Sequence, residues 1–124
     1  MLYLDTHAVI WLYEGDLDLF SKKALHLLEK KNITISAMVM LEIQYLYEIK
    51  RCKKKSIEII NSLQQQIGLT VCQHSFGDIA EKSLSINWTR DPFDRLIVAN
   101  AMVNQQPLLT KDSQILKHYK PAVW

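Results

Sequence analysis

The stretch "LYLD", residues 2–5, is the first of four short apolar segments of high β-propensity that decide the fold. The other three are "ITIS" (33–36), "LTVCQ" (69–73) and "PLLT" (107–110). Their apolar residues run mostly without alternation, which is typical of strands covered on both faces, as in a parallel sheet.

Helical patterns separate the four segments. Ser21 and Ser36 are N-cap candidates, the first before "KKALHLLEKK" and the second before a pattern that runs through "AMVMLEIQYLYEIKRCKK". "KSIEIINSLQQQIG" ends at Gly68, "SFGDIAEKSLSI" is shorter, and "DPFDRLIVANAMVNQQ" leads into the last segment. Strands that alternate with helices predict a three-layer α/β/α domain with a central, mostly parallel sheet.

The whole chain fits one domain, residues 1–124, with no repeat and no linker. Hydrophobic residues make up 48% and charged residues 23%, with only three glycines and three prolines, which excludes disordered and collagen-like chains. Two cysteines without a CxxC motif, and an N-terminal stretch unlike a signal peptide, predict a reduced, cytoplasmic protein. No segment has membrane-spanning length.

The charge is unevenly placed. The net charge of +2 is too small to indicate a nucleic-acid partner, but "KRCKKK" (50–55) concentrates cations in one short run. Two interpretations remain open for this run: a solvated helix end and a surface that contacts phosphates.

The stretch "WTRDPFDR" (88–95) obeys local rules for a helix start. Asp91 suits the N-cap, Pro92 the first helical position, and Asp94 the first turn, where a carboxylate favours the positive end of the helix dipole. Capping therefore explains both aspartates locally, and only the rest of the chain can indicate a second role.

Acidic residues recur where the predicted strands end. Asp5 closes the first strand, Asp112 follows the last, and Asp94 opens the helix between, while Glu42 lies on the helix after "ITIS". Ligands of open parallel sheets bind at these carboxyl ends. Like charges crowded there need a cation, and oxygen-only ligands suit Mg²⁺ or Mn²⁺.

Four ordered motifs, "LDTHAVIWL", "ISAMVMLEI", "RDPFDRLIVANA" and "LLTKD", together resemble the PIN-domain family over almost the whole chain. Within it they most resemble the small VapC-type ribonuclease toxins of bacterial toxin–antitoxin pairs. The resemblance implies a metal-dependent endoribonuclease whose acidic site falls on Asp5, Glu42, Asp94 and Asp112. It further implies products with 5′-phosphate and 3′-hydroxyl ends.

Roles follow from this resemblance. Asp5 and Asp94 are the expected direct ligands of Mg²⁺ or Mn²⁺, Asp112 a direct or water-mediated ligand, and Glu42 completes the shell or orients the attacking water. Thr110, Asp91 and Arg95 are the expected supporting residues, and we expect Arg95 to pair with an acid rather than contact phosphate.

The resemblance also implies partners: an RNA substrate, for which tRNA is one candidate, a cognate antitoxin protein, and a second copy in a homodimer. Two departures from the family pattern bear on substrate contact. Thr89 stands where relatives often have histidine, and Lys111 stands where they usually have a small residue. Two interpretations of Lys111 stay open: contact with phosphate, and a side chain that faces solvent. His7 is expected to be packed or hydrogen-bonded, and Trp11 to lie in the core or a protein interface.

Two other functions compete with the nuclease. A magnesium-dependent phosphatase of the haloacid-dehalogenase type needs a second aspartate two residues after the first, but His7 stands there, and a receiver domain needs an early acidic pair. The other alternative is a PIN-fold module that binds RNA or protein without cutting. RNA cleavage that requires a metal would distinguish a nuclease from a binding module.

Overall fold

A computed structural model describes all residues, 1–124, and shows a three-layer α/β/α domain around a five-stranded sheet. The strands are β1 (Leu2–Leu4), β2 (Ile33–Ile35), β3 (Thr70–Val71), β4 (Leu108–Leu109) and β5 (Ala122–Val123). Their order is β3-β2-β1-β4-β5, and every neighbouring pair is parallel. The predicted fold class is confirmed, since β1 and β4 are fully buried as continuous apolar runs require.

Seven helices connect and cover the strands. They are α1 (Thr6–Glu14), α2 (Lys22–Lys30), α3 (Ala37–Glu48), α4 (Ser56–Ile67), α5 (Phe76–Ser83), α6 (Pro92–Val103) and α7 (Ser113–His118), with a 3₁₀ turn at Leu17–Leu19. Ser21 and Ser36 cap α2 and α3 as predicted, and Gly68, at φ 69°, ends α4. No helix of the chain combines the length and the hydropathy needed to cross a membrane.

One helix is shorter than the sequence predicted, and one strand was not predicted. The helix predicted to run from Ser36 through the lysine run ends at Glu48, and Lys50 adopts a left-handed backbone with φ 64°. Continuing the helix would have stacked like charges on successive turns. The chain instead reverses, and the Ser56 hydroxyl donates a hydrogen bond of 2.6 Å to the Met40 carbonyl. Strand β5 (Ala122–Val123) was not predicted.

The sheet order places a topological switch point at β1. Successive strands extend from β1 on one side as β2 and β3, and on the other side as β4 and β5. The connections on the two sides therefore diverge, which leaves a crevice at the carboxyl ends of β1 and β4. Asp5 and Thr110 directly follow these two strands.

Candidate active site

Strand register brings Asp5 against Thr110. Because Leu4 pairs with Leu109, the next residue of each strand lies side by side at the carboxyl edge. The Thr110 hydroxyl donates a hydrogen bond of 2.6 Å to Asp5 Oδ2, and the Thr6 amide donates one of 2.8 Å to Oδ1. Asp5 is therefore both the N-cap of α1 and a carboxylate held rigidly in two directions.

Glu42 reaches the same edge from α3. Its Oε1 accepts a hydrogen bond from the hydroxyl of Thr6, a buried residue in the first turn of α1. Thr6 thus contacts both acids, with its amide on Asp5 and its hydroxyl on Glu42. Sequence reasoning missed Thr6, although a hydroxyl residue directly after the strand-end aspartate was a usable signal.

The first turn of α6 contributes two carboxylates. Asp91 caps the helix, and its Oδ1 accepts a hydrogen bond of 3.0 Å from the Asp94 amide. Both side chains also line the pocket described below. The capping interpretation of "RDPFD" is therefore right, but it does not exclude a role in the site for either aspartate.

Asp112 combines a cap with a place in the site in the same way. Its Oδ1 accepts hydrogen bonds of 2.8 Å from the Gln114 amide and 3.0 Å from the Ile115 amide, which caps α7. The Asp112 amide in turn donates to the Thr110 hydroxyl at 3.1 Å. Both capping bonds use Oδ1, so Oδ2 is left for other partners.

These side chains surround one pocket of about 490 Å³ at the carboxyl edge of the sheet. Five of its nine lining residues are acidic, and the other four are two apolar residues, a histidine and a lysine. The lining consists of Asp5, His7, Ala8, Trp11, Glu42, Asp91, Asp94, Lys111 and Asp112. All four principal acids predicted from the sequence are thus brought together.

Crowding of these acids disfavours their ionised forms. Burial, followed by the charges of Asp91, Asp5, Asp112 and Glu42, raises the pKa of Asp94 to about 7, and no hydrogen bond opposes the rise. Burial also raises the pKa of Asp5 and of Glu42, although hydrogen bonds from Thr110 and Thr6 respectively act against it. A pocket that resists ionisation of its own carboxylates is one that a bound cation would stabilise.

The donor set fits a hard divalent cation by its chemistry. The pocket offers carboxylate oxygens and no thiolate, and hydrogen bonds orient Asp5 and Glu42. No three His, Cys, Asp or Glu side chains converge closely enough to hold one ion together. This arrangement suits Mg²⁺, which keeps several of its waters and needs only one or two direct carboxylate bonds. Which acids bind the ion directly stays a prediction.

One expected contact is wrong. Arg95 forms no ion pair, because its Nε donates a hydrogen bond of 2.7 Å to the Thr89 carbonyl, in the loop before α6. The exposed lysine run at 50–55 connects α3 to α4 and does not line the acidic pocket. Trp11 packs against the core as expected and also lines the pocket. His7 is exposed, but its ring packs against Trp11 at a centroid distance of 5.8 Å, and it lines the pocket too.

Comparisons with known proteins bear on the family and the fold. The family model described as PIN domain matches residues 2–121. A search of curated protein sequences gives no match.

Three solved structures share the fold. VapBC2 from Rickettsia felis, bound to a DNA fragment from its promoter, is 20% identical, with 94% of this chain and 92% of that chain covered and a TM-score of 0.63. A toxin–antitoxin complex from Klebsiella pneumoniae is 19% identical, with 100% and 97% covered and a TM-score of 0.65. VapBC-1 from nontypeable Haemophilus influenzae is 17% identical, with 100% and 96% covered and a TM-score of 0.66.

Proposed function

This chain belongs to the PIN-domain family, and we propose that it is a metal-dependent endoribonuclease, the toxin of a toxin–antitoxin pair. The observation that carries the proposal is the pocket with five acidic lining residues at the switch point of a parallel sheet. Burial of Asp94 and the charges of the neighbouring acids raise its pKa to about 7, and a bound cation would favour its ionised form.

Each acid has a role in this proposal. Asp5 and Asp94 would hold Mg²⁺ or Mn²⁺ directly, and Asp112 would hold it through a water, because no three acids converge closely enough to bind one ion together. When bound, the ion supplies Lewis acidity toward phosphoryl oxygens and favours deprotonation of water at neutral pH. Glu42 either completes the ligand shell or orients the attacking water.

The surrounding hydroxyls position these acids. Thr110 holds Asp5 Oδ2 and Thr6 holds Glu42 Oε1, so that neither carboxylate has to reorganise when RNA binds. Attack by water on the scissile phosphate with departure of the 3′-oxygen would leave 5′-phosphate and 3′-hydroxyl ends, the outcome that the family resemblance implies.

The proposed toxin role brings two protein partners, an antitoxin and a second copy of the chain. Solved structures of the same fold are toxin–antitoxin complexes. The α3 surface supports such association, since Leu41, Tyr45 and Ile49 are 54%, 47% and 42% exposed and follow one another at helical spacing along one face. We propose that residues 1–124 form a single domain that dimerises in the cytoplasm. Light scattering that gives a monomer at micromolar concentration would contradict the dimer.

The test of the nuclease is cleavage of total RNA by purified protein with Mg²⁺, with Mn²⁺ and with a chelator, followed by mapping of the cut ends. We expect cleavage only with metal, and 5′-phosphates at the cut sites. Asp16→Asn is a matched control for substitutions in the site, because Asp16 is exposed and its side chain makes no capping bond. Intact RNA with either metal, together with stable RNA binding, would favour the non-cutting module instead.

A further inference from the structure

Lys111 occupies an unusual place at the acidic pocket. It lies between Thr110 and Asp112 in the turn from β4 to α7, it is exposed, and it is the only lysine or arginine that lines the pocket. Its Nζ lies 5.9 Å from the ring centroid of Trp11 and 5.9 Å from that of Trp124. Both distances are within the range of cation–π attraction.

The indole pair that holds Lys111 is itself packed into a cluster. The ring centroids of Trp11 and Trp124 lie 5.8 Å apart in an edge-to-face arrangement. Phe20, which is buried, stacks on Trp124 at 5.1 Å and meets Trp11 edge-on at 6.3 Å. Packing on the buried Phe20 restrains both indoles, so the Lys111 ammonium lies beside a preformed aromatic surface.

Lys111 does not neutralise the acids. The ion pairs of the chain join Lys54 to Glu58 and His74 to Asp78, and none includes Lys111. A lysine whose purpose was to offset the crowded carboxylates would be expected to bond to one of them. Its charge is instead held against the aromatic wall and remains without an anionic partner.

We propose that Lys111, held between Trp11 and Trp124, is a substrate-binding residue that contacts a backbone phosphate of the RNA beside the acidic pocket. The inference rests on the proposed ribonuclease function. A polyanion that approaches five carboxylates is repelled, and the Lys111 ammonium at the same pocket, which forms no ion pair, attracts it. Lysine suits this work because its ammonium acts on phosphate as a point charge.

The test is RNA affinity as a function of salt. A fluorescein-labelled single-stranded RNA oligonucleotide of mixed sequence is titrated with wild-type protein and with Lys111→Met, in a chelator that prevents metal-dependent cleavage, and anisotropy is recorded. Loss of one phosphate contact should reduce the magnitude of the negative slope of log association constant against log salt by about 0.7. Kd should then rise about eightfold at about 50 mM salt, and the difference should vanish toward about 1 M.

Two control variants sharpen the result. Lys111→Arg keeps a cation beside the indoles and should retain most of the affinity and the slope. Lys120→Met removes an exposed lysine next to the amino end of β5, at the edge of the sheet opposite to the pocket, and should change neither quantity. Melting temperatures of all variants show whether the comparison is made between folded proteins.

Three outcomes overturn the inference, and they are distinguishable. Equal Kd and slope for wild type and Lys111→Met would leave the ribonuclease proposal intact but remove Lys111 from substrate binding. Weaker binding with an unchanged slope would assign Lys111 a structural role only. Absence of RNA binding by the wild type, with no RNA cleavage in Mg²⁺, would refute the ribonuclease and the inference with it.

Discussion

Removal of the Asp94 charge should stabilise the metal-free protein near neutral pH. The folded-state pKa of Asp94 is about 7 against an ordinary 3.8, so the folded protein holds a proton that the unfolded chain has lost. The stability that this proton contributes is fully present below the ordinary pKa of 3.8. It is lost as pH rises through the folded-state pKa of about 7. Asp94→Asn keeps the size of the side chain and has no proton to lose.

The magnitude follows from linkage. From pH 3.8 to about pH 7, the free energy of unfolding falls by at most about 4 kcal/mol, at 1.36 kcal/mol per pH unit. Between about pH 5.5 and pH 7.5 the upper limit is about 2 kcal/mol, and solvent screening of a partly exposed group reduces it to about 1 kcal/mol. For a domain of this size, that corresponds to about 3–5 °C in melting temperature.

The assay is thermal unfolding with a chelator across this pH range, for wild type, Asp94→Asn and the surface control Asp16→Asn. Wild type and Asp16→Asn should lose stability together as pH rises, while Asp94→Asn loses less. The stability of Asp94→Asn should still depend on pH to some extent, because burial also raises the pKa of Asp5 and of Glu42. Parallel pH profiles for wild type and Asp94→Asn would refute the argument that Asp94 is crowded.

Three further predictions concern metal and the helix caps. Mg²⁺ should raise the melting temperature of wild type by mass action, and by much less in Asp94→Asn, as measured by calorimetry with increasing ion concentration. Asp91→Ala should cost about 0.5–2 kcal/mol of stability in denaturant unfolding, the range for a lost N-cap, but should reduce RNA cleavage far less than Asp94→Asn. Asp112→Asn keeps an oxygen for the Gln114 and Ile115 amides, so its unfolding free energy should stay close to that of wild type. It should nevertheless cleave RNA much more slowly. Cleavage by Asp112→Asn at the wild-type rate would remove Asp112 from the site.

Features that depend on local pattern could be predicted from the sequence. Continuous apolar runs located the first four strands, and the serine caps at Ser21 and Ser36 located two helix starts, because strand burial and capping depend on nearby residues. The convergence of Asp5, Glu42, Asp94 and Asp112 was also predictable, since parallel strands end at one edge.

Features that depend on packing between distant segments could not be predicted. The indole pair around Lys111 joins residues 11 and 124, which come together only in the folded chain. The ion pair expected for Arg95 failed because the loop before α6 presents the Thr89 carbonyl to the guanidinium. Asp91, an expected supporting residue, caps α6 and also lines the pocket, but its local pattern indicated only the cap.

The central claim is that the acidic pocket cuts RNA with a bound cation, and the most direct test is the initial cleavage rate of Asp94→Asn beside Asp16→Asn. Both variants remove one negative charge, but only Asp94 lines the pocket. Under saturating Mg²⁺, Asp16→Asn should cleave at the wild-type rate, and folded Asp94→Asn should be slower by orders of magnitude. Cleavage by Asp94→Asn at the wild-type rate would contradict the account.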